Sequence, residues 1–160
     1  MATSAVVLHP HPSMGGDSSH PFVVEVARRL SEHAITVATP DLRDPDVAAS
    51  WLALCDLAES LDGRRRFLIG YSWGSAVVSH AAPNGLAARV LVAPPVSMMD
   101  VGAHGDVPTL VLVPEHDQYG DLDATRAAFD LVEVIPGADH FLWGSIDTIA
   151  ARTVAWLTSL

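Results

Sequence analysis

Six short runs of β-branched and other apolar residues punctuate this 160-residue chain, and most of the segments between them carry a helical period. The runs are residues 5–8, 35–38, 66–69, 89–92, 109–113 and 131–135. They are nearly continuous rather than alternating, the pattern of strands buried on both faces of a parallel sheet. Between them, residues 21–30 place apolar side chains at Phe22, Val23, Val26 and Leu30, with Ser19 positioned as a cap ahead of Pro21. Residues 47–61 repeat through Val47, Trp51, Leu54, Ala58 and Leu61, and residues 75–82 form a short apolar helix closed by Pro83-Asn84-Gly85. Helices over residues 121–130 and 145–160 complete the set, the last with Ile146, Ile149, Val154, Trp156 and Leu157 as its inner stripe. This alternation specifies an α/β fold: an open parallel six-stranded sheet with helices on both faces. Residues 94–108 interrupt it, so the helix between the fourth and fifth strands is expected to be short or missing. With strand one flanked by strands two and three, the order is 2-1-3-4-5-6.

Length and composition narrow the possibilities. No internal repeat, low-complexity tract or linker divides the chain, so residues 1–160 read as a single domain. At this length about 70% of the unfolded chain's surface is buried on folding. No apolar run approaches the ~20 residues of a membrane helix, and residues 1–8 show no signal-peptide pattern. The lone Cys55 excludes an intramolecular disulfide and points to a reducing compartment, so the expected location is cytoplasmic. A net charge of −10 with no lysine argues against nucleic acid or anionic membrane as partner, since both demand positive patches. The one basic run, Arg64-Arg65-Arg66, reads as a solvated corner. The sequence carries no signal for oligomeric state.

The chemistry concentrates at Gly70-Tyr71-Ser72-Trp73-Gly74, which joins a strand to a helix. In that context G-x-S-x-G is a tight turn that needs small residues two before and two after the serine, so that Ser72 stands at the strand's carboxyl end. A nucleophilic serine needs a base, and the base an acid to hold its tautomer. The fifth strand leads into Glu115-His116-Asp117, and the sixth into Gly137-Ala138-Asp139-His140. Asp117 and His140 therefore fall on loops leaving the same sheet edge. Glu115 is a rival acid; Asp139 precedes His140 directly and reads as a loop carboxylate. The histidine spacing matches no zinc pattern, so no metal or other cofactor is expected.

Two backbone donors are required for an oxyanion hole, one of them from the residue after the nucleophile, Trp73. The other belongs to the loop after the first strand, His9-Pro10-His11-Pro12-Ser13-Met14-Gly15-Gly16. Proline has no N–H, which leaves His11, with Met14 behind it. The His9 and His11 side chains read as merely exposed. The loop after strand one and the Ser72 turn after strand three both border the switch in strand order, where open α/β sheets bind ligands.

On the His9-Pro10-His11-Pro12 loop with Gly15-Gly16, the Gly70-to-Gly74 turn, Asp117, and Gly137-Ala138-Asp139-His140, the sequence resembles the α/β-hydrolase superfamily. It looks most like its small dienelactone-hydrolase-like and esterase-like branches. The resemblance spans essentially the whole chain and implies a minimal α/β-hydrolase core without a cap domain. It departs from dienelactone hydrolases in having Ser72 where they use cysteine. The usual first two strands are absent, and a short loop of Pro94-Pro95-Val96-Ser97-Met98-Met99 stands where many relatives insert a helical cap. An open, shallow site rimmed by Pro95, Val96, Met98 and Trp143 is the expectation. The implied activity is acyl-enzyme hydrolysis of small-molecule carboxylic esters with short or medium acyl chains. Thioester hydrolysis or acyl transfer would use the same residues, and a non-catalytic binding protein on this scaffold is the remaining alternative.

Overall fold

The computed structural model describes residues 2–102 and 105–160. In chain order the elements are β1 (Thr3–Leu8), α1 (Pro21–Glu32), β2 (Thr36–Ala38), α2 (Val47–Ser60), β3 (Arg65–Tyr71), α3 (Trp73–His80), β4 (Leu86–Val92), β5 (Thr109–His116), α4 (Leu122–Ala128), β6 (Leu131–Asp139) and α5 (Ile146–Ser159). All neighbouring strands pair in parallel, in the expected order β2-β1-β3-β4-β5-β6. Among the described residues no α-helix joins β4 to β5; Ala103 and His104 of that connection lie outside them.

Successive strand side chains point to opposite faces, so each continuous apolar run feeds two cores. Ala5 and Val7 pack with Phe22, Val26 and Leu30 of α1 and Ile149 and Leu157 of α5. Val6 and Leu8 pack on the other face with Leu54 of α2 and Trp73 and Val77 of α3. The same split separates Val90 from Leu91 and Leu112 from Val111. Burying one such side chain contributes roughly 1.5–3 kcal/mol, a large share of a typical domain's net stability. That is why these strands tolerate no polar alternation.

Helix starts follow side-chain caps, with one correction. Asp46 accepts from the Ala49 N–H at 2.8 Å to open α2, and Asp121 accepts from Ala124 at 3.0 Å to open α4. At α1 the cap is His20, not Ser19. Pro21 occupies the first helical position, so the residue directly before it becomes the cap, and His20 Nδ1 accepts from the Phe22 N–H at 3.1 Å. Ser19 turns back instead, donating its N–H (2.8 Å) and its hydroxyl to Asp17.

The basic corner is also more than solvated charge. The Arg66 guanidinium donates to the Ala58 carbonyl at 2.6 Å, near the end of α2, and to the Asn84 carbonyl at 2.8 Å. The last carbonyls of a helix lack intrahelical partners and favour a cation. Arg65 lies over the Phe67 ring, 4.8 Å from its centroid.

Both late strands run further than their apolar runs suggest. The β5–β6 pairing slips between Pro114 and His116 and resumes with His116 beside Asp139. The next residues of the two strands, Asp117 and His140, therefore leave the sheet as neighbours.

Candidate active site

Adjacent strands β1 and β3 send their chains to opposite faces, into α1 and α3 respectively. That divergence opens the crevice in which Ser72 sits. Ser72 has φ 55° and ψ −121°, a left-handed conformation for a side-chain-bearing residue, which costs on the order of 1–3 kcal/mol. Two glycines make the turn possible. A Cβ on Gly70 would lie 2.3 Å from the Gly74 carbonyl oxygen, and one on Gly74 would lie 2.4 Å from that of His9. The turn is held by the Ser72 N–H donating to Val92 O at 2.9 Å, and by the Ser75 N–H donating to Ser72 O at 2.8 Å. Among the described residues the Trp73 and Gly74 N–H groups find no backbone acceptor.

Ser72 Oγ is 2.8 Å from His140 Nε2, and His140 Nδ1 is 2.9 Å from the Asp117 carboxylate. Both partners are out of solvent, with side-chain exposures of 8% for His140 and 1% for Asp117. The Asp117 carboxylate accepts the hydrogen bond from Nδ1–H, which leaves Nε2 as acceptor for the serine hydroxyl. Asp117 is itself anchored by the Tyr119 N–H at 2.9 Å, and the Tyr119 ring meets the imidazole edge-on at 4.7 Å. Glu115 does not compete: it is exposed, accepts from the Gly137 N–H at 3.3 Å and pairs with His116 at 2.9 Å. Asp139 closes its own turn by accepting from the Phe141 N–H at 3.0 Å.

On the β1–α1 loop, the Met14 N–H is already committed to the His11 carbonyl at 3.0 Å, whereas the His11 N–H has no protein acceptor among the described residues. His9 corrects its exposed reading. It is 1% exposed, donates from Nδ1 to Pro10 O at 2.7 Å, accepts at Nε2 from the Leu42 N–H at 2.9 Å, and stacks on Trp73 at 5.7 Å. The loop of residues 39–46 folds over it and removes it from water. His11 is half-buried, and its Nδ1 accepts from the Ser13 N–H at 3.1 Å.

The expected rim divides. Met98 and Trp143 are 65% and 78% exposed, but Val96 is half-buried and Pro95 is buried, so Pro95 offers no surface there. Met14, which the sequence did not place on the rim, is also exposed. The side chains of Tyr71, Trp73 and Tyr119 were not singled out either; the available signal was an aromatic residue at each variable position of the serine turn. Burial, then the nearby Asp117 charge, pushes the Tyr71 hydroxyl's pKa up, so it remains a donor. Burial pushes the pKa of His20 down.

Among the described residues no cluster of three His, Cys, Asp or Glu side chains could hold a metal ion, and no helix is long and apolar enough to cross a membrane.

A parallel sheet in this order, a strained serine turn after its third strand, and a carboxylate and an imidazole hydrogen-bonded in line with it after its fifth and sixth define an α/β hydrolase architecture. The chain belongs to the α/β hydrolase family, whose model matches residues 5–106. Among solved structures it is similar to a protein of the α/β hydrolase superfamily from Xanthomonas campestris pv. campestris, at 18% identity, covering 100% of both chains with TM-score 0.78. An α/β serine hydrolase homologue from Coxiella burnetii is 21% identical, over 98% of this chain and 86% of that one, with TM-score 0.73. An α/β serine hydrolase without a lid from Xanthomonas campestris is 20% identical, over 93% and 78%, with TM-score 0.70. No curated protein matches the sequence.

Proposed function

We propose that this chain hydrolyses carboxylic esters of small molecules with short or medium acyl chains, through an acyl-enzyme on Ser72. The carrying observation is the unbroken line from Ser72 Oγ to His140 to Asp117, at 2.8 and 2.9 Å, on a strained turn. His140 Nε2 takes the hydroxyl proton as Oγ attacks the ester carbonyl. Asp117 stabilises the imidazolium, and the same proton passes to the departing alkoxide. Water, activated by His140 in its turn, attacks the acyl carbon; the acid leaves and Ser72 recovers its proton. The Trp73 and His11 amides are the donors assigned to the oxyanion, Trp73 at the positive end of α3. His11 is preferred to Met14 because the Met14 amide is engaged.

Exposed Met98 and Trp143, with half-buried Val96, are the apolar side chains assigned to the acyl group. Little wall exists to bury a long chain, which favours short and medium acyl groups. Profiling p-nitrophenyl esters of increasing chain length against acyl thioesters and acceptor alcohols tests this. Saturable turnover concentrated on the shorter esters, abolished in His140→Ala, is expected. Preference for thioesters or alcohol acceptors would redirect the reading to thioesterase or acyltransferase chemistry. Absence of turnover on the whole panel would leave a binding protein on this scaffold.

A further inference from the structure

The two variable positions of the serine turn each reach toward a different loop of the site. Tyr71, on the β3 side, sends its hydroxyl to the His140 backbone carbonyl, donating at 2.6 Å in a buried environment. Its ring is wedged against Phe22 at 5.6 Å and His20 at 5.1 Å, so the hydroxyl has little freedom to leave. Trp73, on the α3 side, is 1% exposed. Its indole stacks on His9 (5.7 Å between centroids, 17° between planes) and meets His11 edge-on at 5.9 Å. The indole N–H donates to Pro45 O at 3.0 Å, pinning the loop that also holds His9 through Leu42.

We infer that Tyr71 and Trp73 are a pair of positioning residues, the first registering the base on the nucleophile and the second registering the oxyanion loop on it. The assignment rests on the hydrolase reading above and adds two side chains that act through others. The geometry explains why one rigid turn suffices for a small site. Ser72 lies between the two clamps in sequence, so the base and the oxyanion donors are both referred to the residue they must serve. Reacting groups misplaced by about 1 Å can lose as much as ~10²-fold in rate, and neither loop has a regular element that would hold it at that tolerance. The β1–α1 loop carries only the short turn Pro12–Met14, and His140 follows the end of edge strand β6.

The two clamps have separable signatures. Tyr71→Phe deletes one oxygen and should lower kcat about tenfold, with KM within twofold and the acid limb of the pH–rate profile displaced, because the base is shifted but the acyl surface is not. Trp73→Leu should weaken inhibition by a trifluoromethyl ketone, which forms an oxyanion on Ser72, by about tenfold or more while KM changes little. Trp73→Phe, which keeps an aromatic face for His9 and His11 but loses the indole N–H to Pro45 O, should recover part of that loss. Should Trp73→Leu fail to fold, His11→Ala is the substitute. It removes the ring that meets the indole but keeps the His11 amide, and a smaller loss of ketone affinity is expected.

Thermal melting of every variant is read alongside. Variants with lower Tm but unchanged kcat, pH profile and ketone affinity would make both residues ordinary packing and overturn the inference. The hydrolase reading is checked separately on the wild type: labelling of Ser72 by a fluorophosphonate with unaffected Tyr71 and Trp73 variants sinks the inference alone. A wild type that is not labelled sinks both.

Discussion

The two edges of the sheet solve opposite problems. At the amino edge, arginines are used up on the backbone: Arg66 closes the end of α2, and buried Arg89 donates to the Ala81 carbonyl at 2.7 Å just past α3. Guanidinium groups there donate to carbonyls at or just past helix ends, which is a gain in stability. At the carboxyl edge the relation is reversed. Among the described residues the Trp73 and His11 amides find no protein acceptor, Ser72 holds an unfavourable φ, and the polar side chains of Ser72, His140 and Asp117 bond to one another. One edge spends its polar groups on holding the fold, and the other keeps them ready for a ligand. Strain and unfilled donors belong together at such a site.

Substitutions at the two edges should therefore affect different properties. The largest effect is expected from Asp117→Asn, which keeps the shape of the site but presents the wrong imidazole tautomer. Its kcat should fall by about 10⁴-fold with Tm nearly unchanged, measured by ester turnover and thermal melting. A variant that keeps its rate would return the acid's role to Glu115. Next is Arg66→Ala, which should do the converse. Hydrogen bonds from a charged donor contribute about 1.5–3 kcal/mol, so urea unfolding should show a loss of about 2 kcal/mol with kcat intact. A fall in kcat without a fall in stability would erase the distinction between the edges.

The smallest effect concerns acid. Arg28 and Arg29 hold the Glu25 carboxyl at about 2, below its ordinary value of 4.5. A carboxylate that ionises more readily when folded adds stability above its unfolded value, and that contribution disappears as pH falls toward the folded one. Glu25→Gln should therefore melt slightly below the wild type at pH 6, and the gap should close by pH 2. Arg28 is exposed and Glu25 and Arg29 only half-buried, so solvent screens the cluster and the gap at pH 6 is small.

What the sequence makes legible follows the same division. All six strands are visible because burial on two faces leaves continuous apolar runs, and the order around β1 and β3 emerges with them. Ser72, Asp117 and His140 are visible because each lies on the short segment that follows an apolar run. The outward extensions of β5 and β6 are not, since Pro114-Glu115-His116 and Pro136-Gly137-Ala138 do not look like strand; yet that pairing brings Asp117 and His140 together. The burial of His9 is invisible for a different reason. A histidine between an apolar strand and a proline looks exposed, and only the loop of residues 39–46, distant in sequence, covers it. Ser19 and His20 are both able to cap α1, and the choice depended on where Pro21 fell in the first turn. The side chains of Tyr71 and Trp73 escaped notice because the serine pattern treats their positions as free and draws on Trp73 for its backbone N–H alone; both side chains reach the loops on either side.

The most direct test of the central claim is the reactivity of one oxygen. Incubation with a fluorophosphonate, followed by mass analysis of the proteolysed chain, should place a single adduct on the peptide carrying Ser72. Its rate should collapse in His140→Ala and vanish in Ser72→Ala. A wild type modified no faster than Ser72→Ala would contradict the assignment of Ser72 as nucleophile.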